Sequence, residues 1–438
     1  MAIAVTRGAS ASDLQFRSPV SSVAVGDGPH GVVAADLNGD GLPDIVTANA
    51  GSSNVSLLLG RGDGSFVRLE PISIRINELF VVDLRAVAVA DLDGDGIPDL
   101  VLGCENSCAS VFVLLGEGEG VFAMPQEFFA GRGPLSVAIA DLNRDGFTDL
   151  VAALRFNDAV SVLLGHGDGT FGDREHFDVR AAGNLRDIAV TDLDGDGVLD
   201  IVAASGDLAV LLGVGDGSFV DAQLFPVGEG AEAAARRRLF PADGAQRFPG
   251  DEGAEAVAVG DLNGDAVPDV VTANHQPDGV SVLLGHGDGT FGAPETLPVG
   301  IEPTGLALAD LNGDGFLDAV TANFASNDLS LLLGLGNGTF APERRLPAGD
   351  GPRGVAIRDL NGDGRPDLVA ANSASDDVSV LLAEGGPEAG SNGGCQLRER
   401  NSETPAFPLL VLFPVALLLS ARRLINRGGY SPTSTTGC

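Results

Sequence analysis

Asp stands at positions 1, 5 and 9 of a nine-residue loop that occurs seven times in this chain, and position 3 is always Asn or Asp. The first copy reads Asp36-Leu-Asn-Gly-Asp-Gly-Leu-Pro-Asp44; the others fill residues 91–99, 141–149, 192–200, 261–269, 310–318 and 359–367. A loop of this length, tightly folded, brings its acids together. Three carboxylates within about 4 Å of one another repel by about 4 kcal/mol per pair at moderate dielectric, and a divalent cation removes that penalty. Calcium fits because it takes hard oxygen ligands in a flexible geometry. Side chains at positions 1, 3 and 5 would converge on the concave side. A backbone carbonyl at position 7 and the carboxylate at position 9 would close the shell, and Gly at position 6 permits the bend. The competing reading of the same residues is a set of Asx turns without a metal.

The candidate ligands in the first copy are Asp36, Asn38, Asp40, the carbonyl of Leu42, and Asp44. The second offers Asp91, Asp93, Asp95, Ile97 and Asp99, and the third Asp141, Asn143, Asp145, Phe147 and Asp149. In the fourth they are Asp192, Asp194, Asp196, Val198 and Asp200, and in the fifth Asp261, Asn263, Asp265, Val267 and Asp269. The sixth has Asp310, Asn312, Asp314, Phe316 and Asp318, and the seventh Asp359, Asn361, Asp363, Arg365 and Asp367. Up to seven calcium ions are expected, one per copy. The Asp261 site should be the weakest, because Ala266 replaces Gly at position 6 and a left-handed Ala costs on the order of 1 kcal/mol. Arg144, at position 4 of the third copy, lowers the local negative potential.

The surrounding sequence has to position these loops. Their starts are separated by 55, 50, 51, 69, 49 and 49 residues, a period that signals repeated small units. An apolar run leads into each loop (Ala86-Val-Ala-Val-Ala-Asp91) and a second follows it (Asp44-Ile-Val-Thr-Ala-Asn49). A third run usually ends in Leu-Leu-Gly, and a Gly-rich turn such as residues 165–171 ends in Phe and opens a fourth segment. Runs of this length, rich in Val, Leu and Ala and bounded by Gly, Asn and Asp, read as strands. Each unit is then a four-stranded antiparallel sheet, and seven of them form an all-β seven-bladed propeller. The last unit lacks a Phe-led fourth strand, while an extra segment, residues 16–25, precedes the first. Phe16 lies 20 residues before Asp36, as Phe171 lies 21 before Asp192, so the N-terminal strand is expected to complete the last blade.

Alternate turns of an up-and-down sheet fall on opposite faces. The acidic loops and Gly-rich turns therefore share one face. The loops between second and third strands share the other with the blade connections and an insertion at about residues 229–250 carrying Arg236, Arg237 and Arg238. The copies differ on that second face, the usual place for recognition.

These residues resemble the FG-GAP/VCBS repeat: the Asp-x-Asx-x-Asp-Gly-x-x-Asp loop, its Val-Ala-Val-Ala-Asp-Leu lead-in and its Gly-Asp-Gly-Thr-Phe turn. The resemblance covers about residues 14–384. It implies the seven-bladed propeller of integrin α-type proteins and many bacterial surface proteins, with a calcium ion in each loop.

Bulk composition narrows the function. The chain has 438 residues and a net charge of −35, with 23 of its 61 acids in the seven loops, which argues against nucleic acid and anionic membranes as partners. It has no Lys, and Arg carries every fixed positive charge. Four Cys are too few for a disulfide framework, though Cys104 and Cys108 are placed for a local bond. Residues 1–13 form a lead too short for a signal sequence, so a leader clipped by a misassigned start is expected. Residues 385–404 read as a Gly/Pro-rich linker. Residues 405–427 read as a hydrophobic helical anchor, apolar from Pro405 to Ala421 and ending in Arg422, Arg423 and Arg427, and 428–438 as a tail. The layout around Gly393-Gly394-Cys395 resembles bacterial C-terminal sorting segments, which implies surface attachment and makes Cys395 a candidate modification site.

The reading is a calcium-binding, surface-associated, monomeric propeller that binds a protein or glycan on its variable face, with membrane contact through the C-terminal segment. A propeller-based hydrolase or lyase and a purely structural spacer are the alternatives. Against catalysis, none of the five His pairs with a Gly-x-Ser-x-Gly or His-Glu-x-x-His motif. The absence of Trp weakens a sugar-stacking site.

Overall fold

The computed structural model describes residues 14–17, 21–75, 82–106, 108–179, 185–227 and 253–384. The N-terminal lead, the insertion with Arg236 to Arg238, the linker, the hydrophobic segment, the tail and Cys395 lie outside the described residues. Among the described residues no helix is long and apolar enough to cross a membrane.

The described chain is a ring of seven antiparallel sheets. Blade 3 shows the plan: Pro134–Ala140, Asp149–Leu154, Ala159–Leu163 and Glu175–Asp178 run from the axis outward, each paired with the next. The innermost strands (Pro29–Ala35, Leu84–Ala90, Pro134–Ala140, Asp187–Thr191, Ala254–Gly260, Pro303–Ala309 and Pro352–Arg358) touch in sequence around the axis, and the last touches the first. Second strands are buried along their whole length, as in Asp44–Asn49 and Asp269–Asn274, which is why they read as continuous apolar runs rather than alternating ones. Seven apolar clusters fill the wedges between neighbouring blades, and the cluster joining blade 7 to blade 1 contains Val25, Val32, Ile45, Val369 and Val380. Edge-on aromatic pairs tie the outer rims. Phe128 of blade 2 meets Phe171 of blade 3 at 5.2 Å, and Phe177–Phe219 and Phe225–Phe291 repeat the contact. The repeating Phe of the Gly-rich turn is therefore an interblade wedge.

Two blades depart from the plan. Blade 1 adds a short strand, Ile72–Ser73, on Asn54–Gly60. Blade 2 carries a hairpin of Gly116–Gly118 with Val121–Phe122.

Closure follows the expected route. Ser21–Ala24 forms the outer strand of blade 7, with Ser21 opposite Val380 and Val23 opposite Val378. Gln15–Phe16 pairs with Ala383–Glu384, placing Phe16 opposite Ala383. Phe171 stands opposite Gly165, and Phe340 opposite Gly334, in the same way within their own blades. The Arg344 guanidinium also donates to the Leu14 carbonyl at 2.9 Å. Deleting residues 1–28 removes this strand and exposes flanks such as Val378 and Val380. Each buried apolar side chain lost costs about 1.5–3 kcal/mol. A thermal melt of the shortened chain should show a clearly lower midpoint and a tendency to dimerise through the open edge.

Candidate metal sites

Each acidic loop is held by its own side chains. In the first copy Asp36 accepts the N–H of Gly39 at 2.8 Å and of Gly41 at 2.9 Å through separate oxygens. Asn38 Oδ1 accepts from Asp40 N at 2.9 Å, and Asp40 Oδ1 accepts from Leu42 N at 2.8 Å. This folds the chain around positions 1, 3 and 5. In the Asp91 and Asp192 copies, where position 3 is also Asp, one carboxylate oxygen from each of Asp91, Asp93 and Asp99 lies within 4.8 Å of the others, and Asp192, Asp194 and Asp200 repeat the arrangement. In four Asn copies the position-3 amide instead donates to position 5, as Asn38 does to Asp40 at 3.1 Å and Asn312 to Asp314 at 2.9 Å. An amide there removes one charge and offsets part of the remaining repulsion.

Position 9 does something the sequence does not announce. Asp44 is fully buried and clamps two segments. One oxygen accepts Leu37 N at 2.9 Å, at the mouth of the loop, and the other accepts Gly60 N at 2.7 Å, at the end of the third strand. The pair recurs in every blade, through Gly116, Gly165, Gly213, Gly285, Gly334 and, in blade 7, Ala383. This explains the Leu-Leu-Gly ending. A side chain at Gly165 would stand 2.1 Å from the Thr148 carbonyl, so Gly lets the third strand approach closely enough to donate.

Burial raises the position-9 carboxyls, and the acids at positions 5 and 1 or 3 and 1 raise them further against the two N–H bonds. Asp99, Asp149, Asp200 and Asp367 are pushed to about 6 and Asp318 to about 7, while Asp44 and Asp269 move in the same direction. Ionised carboxylates held this way are short of positive charge. A second sign of the same shortage is Asp141 Oδ1, which is buried without a hydrogen-bond partner. Arg144, two positions before Gly146, makes no bond to it from its N–H, whereas Gly39, Gly94 and Gly195 do so in their copies. Hard oxygens, clustered carboxylates and an orphaned carboxylate oxygen together fit a hard divalent cation.

Positions 4 and 6 both require left-handed backbone. Gly39 has φ 77° and Gly41 82°, and the two substituted positions follow them, Arg144 at 62° and Ala266 at 66°. Position 4 is a constraint missed from the sequence, where Arg144 is read only for its charge. Its guanidinium reaches to the neighbouring loop, 3.3 Å from where a side chain on Gly197 would begin. Ala266 keeps all the contacts of its copy, donating to Asp261 at 2.8 Å.

The two faces divide as expected. The position-7 side chains Leu42 and Phe147 lie against Gly62 and Gly167 of their own Gly-rich turns. Blade 3 leans its turn on the acidic loop of blade 2, with Gly169 N donating to the Leu92 carbonyl at 3.3 Å. At the opposite end, loops between second and third strands bond to the blade connections, as in Ala50 N to Gly28 O and Phe324 N to Glu302 O. Cys104 and Cys108 form a disulfide there. A buried polar network repeats beneath this face. Asn49 accepts from Thr47 and donates to Ser56, and Asn274 and Asn323 repeat both bonds. The recurring Thr-Ala-Asn and its partner Ser were visible in the sequence as a periodic signal.

This is the architecture of a repeat-built propeller with one acidic, cation-compatible loop per blade. The FG-GAP-like repeat model matches residues 36–102, 91–152, 141–203, 261–321 and 318–370, more than half of the chain. The protein belongs to the FG-GAP-like repeat family. Among curated proteins no match is found. Solved structures share the fold at low identity. Virginiamycin B lyase from Staphylococcus aureus superimposes with a TM-score of 0.54 at 12% identity, covering 84% of this chain and 99% of the other. BBS1N in complex with ARL6DN gives 0.53 at 11%, covering 86% and 97%. A protein from Lactobacillus plantarum gives 0.53 at 13%, covering 74% and 86%.

Two outcomes follow from the loops. Ala266→Gly relieves a left-handed Ala and should raise stability by about 1 kcal/mol, read as a higher melting midpoint. The raised position-9 acids bind protons more tightly in the folded than in the unfolded chain. Without metal, their contribution should therefore fall as pH rises from about 4, their unfolded value, to about 6–7, and stay level above it. Melting curves of metal-stripped protein across that window test the sign.

Proposed function

We propose that this chain is a calcium-stabilised propeller that acts as a binding module, using the face opposite the acidic loops to hold a protein or glycan partner. The observation that carries the metal half is the convergence of carboxylate oxygens within 4.8 Å in the Asp91 and Asp192 loops. Membership of the FG-GAP-like repeat family supports the same ion in the remaining copies. The Asp91 and Asp192 loops, with one more carboxylate each, should fill first. The Asp261 loop should fill last, because Ala266 adds strain to the bound conformation.

Recognition is supported by the contrast between faces. The acidic-loop face repeats one design seven times, whereas the other carries features particular to single blades, including the Cys104–Cys108 disulfide and the stacking of Arg353 on Phe324 at 4.0 Å. We read the chain as a non-enzyme. His166 and His286 are both occupied by hydrogen bonds within their own turns, to Thr170 and Thr290 at 3.0 Å, as parts of the repeat. The lyase among the structural neighbours supports a shared fold alone. A surface location, with attachment through the C-terminal segment, belongs to the same proposal. The disulfide suits an oxidising compartment.

Calcium at a hundredfold excess over its dissociation constant adds about 2.7 kcal/mol per independent site. With several sites the melting midpoint should rise by on the order of 10 °C over stripped protein. Native mass spectrometry should count up to seven ions. A midpoint indifferent to calcium would sink the metal reading. Pull-down from the native cell envelope with immobilised ring, in calcium and after stripping, tests recognition: a partner retained only by the calcium-loaded ring supports it.

A further inference from the structure

At the variable face the ring axis opens into a cavity of about 220 Å³, lined by the first residues of the inner strands. Its walls are unusual for a chain of net charge −35, because four guanidiniums, Arg85, Arg155, Arg186 and Arg353, converge on it. Their partners are unevenly shared. Arg186 faces Glu255 at 3.3 Å on one side. On the other, Arg85 bonds Asp83 at 2.7 Å and Glu105 at 2.7 Å, and Arg155 draws on the same Glu105, which is 3% exposed. The Nε of Arg155 is buried without a hydrogen-bond partner.

Arg353 completes that side. Its Nε donates to Ser373 Oγ at 3.3 Å and its guanidinium lies over Phe324, and among the described residues no carboxylate stands within ion-pairing distance of it. Between Arg353 and Arg85 sits His30, with Arg85 Nη1 2.8 Å from its Nε2. Burial and the two guanidiniums hold this imidazole well below its ordinary pKa, so it is neutral. The backbone fixes the cluster: a side chain on Gly354 would meet the His30 carbonyl at 2.4 Å, and one on Gly31 the Arg85 carbonyl at 2.8 Å. Blades 7, 2 and 3 thus press three guanidiniums, Arg353, Arg85 and Arg155, toward His30 of blade 1, with two carboxylates, Asp83 and Glu105, among them. A half-buried cation without a counter-charge is costly. Asp187 also lines the cavity but is taken up by Ser136 and the Val257 N–H, so the guanidinium left without a carboxylate at bonding distance is that of Arg353.

We propose that the axial cavity binds a carboxylate group, seated against Arg353, Arg85 and His30. A planar guanidinium matches a carboxylate through paired N–H donors. A monoanion supplies the partner Arg353 lacks, whereas a phosphate dianion would crowd Glu105, Asp187 and Glu255. The carboxylate comes either from a small organic acid or from an Asp or Glu side chain of a docking partner. The cavity stands on its own geometry and does not need calcium; only the second source rests on the recognition reading above.

The test is calorimetric titration of the full chain with propionate, with a short terminally blocked peptide carrying one Glu, with their amide counterparts, and with inorganic phosphate. Each is run in calcium and in metal-stripped buffer free of chelator, since chelators are themselves carboxylates. Saturable binding of an acid and not its amide is expected, weakened at least about tenfold in Arg353→Gln. Thr304→Glu, which places the chain's own carboxylate in the cavity, should abolish it, and melting curves should show both variants folded. Binding of propionate alone assigns a small acid; binding of the Glu peptide alone assigns a partner's side chain. Acids that bind no better than their amides, Arg353→Gln binding like the unaltered chain, or phosphate binding tighter than either acid would overturn the proposal.

Discussion

A carboxylate buried at the head of each second strand takes two backbone N–H groups from segments that lie beyond the ladder between second and third strands. One comes from the mouth of the acidic loop, the other from the end of the third strand. In blade 1 these are Leu37 and Gly60, both on Asp44. Without this clamp the loop would be held by its own side-chain bonds alone, and the end of the third strand, beyond its ladder with the second, would not be tied to the loop. The clamp also dictates residues far from itself. Gly is kept at the third-strand end because the position-8 carbonyl lies where a side chain would begin. Blade 7 breaks that rule with Ala383, at the one place where the partner strand arrives from the other end of the chain.

The clamp carries an electrostatic cost. Burial and the neighbouring acids raise the position-9 carboxyls, up to about 7 for Asp318. Two backbone N–H donors offset part of this and cannot offset all of it, because dipoles do not neutralise a cluster of like charges. The ring holds its shape on one face through clustered carboxylates, and on the other through Asn, Thr and Ser networks beneath the variable loops. The repeated clamps and the variable loops are thereby separated between faces, so that loops on the second can vary without touching the clamps.

Much of this was legible in the sequence because it repeats. The spacing of Asp36, Asp40 and Asp44 gave the loop, the strand lengths gave the sheet, and the position of Phe16 gave the closure. What was not legible involves backbone rather than side-chain type. The left-handed requirement at position 4 is hidden because Gly39 and its equivalents also read as ordinary turn glycines, and only Arg144 exposes it as a constraint. The second job of Asp44 is hidden because its partner Gly60 is 16 residues away. The axial cluster was invisible for a different reason. His30, Arg85 and Arg353 occupy the same place in three blades, but their chemistry does not repeat, so periodicity passes over them. Only ring closure brings blade 7 beside blade 1.

The pairing of Gln15–Phe16 with Ala383–Glu384 has a directional consequence. Phe16 and Ala383 occupy the place that Phe171 and Gly165 hold in blade 3, at the Gly-rich turn and so on the acidic-loop side of the disc. Residues 14 and 384 therefore depart side by side from a single point on that side. Whatever is joined to either terminus pulls from below, like the stem of a dish, and presents the arginine-lined bowl to the space beyond.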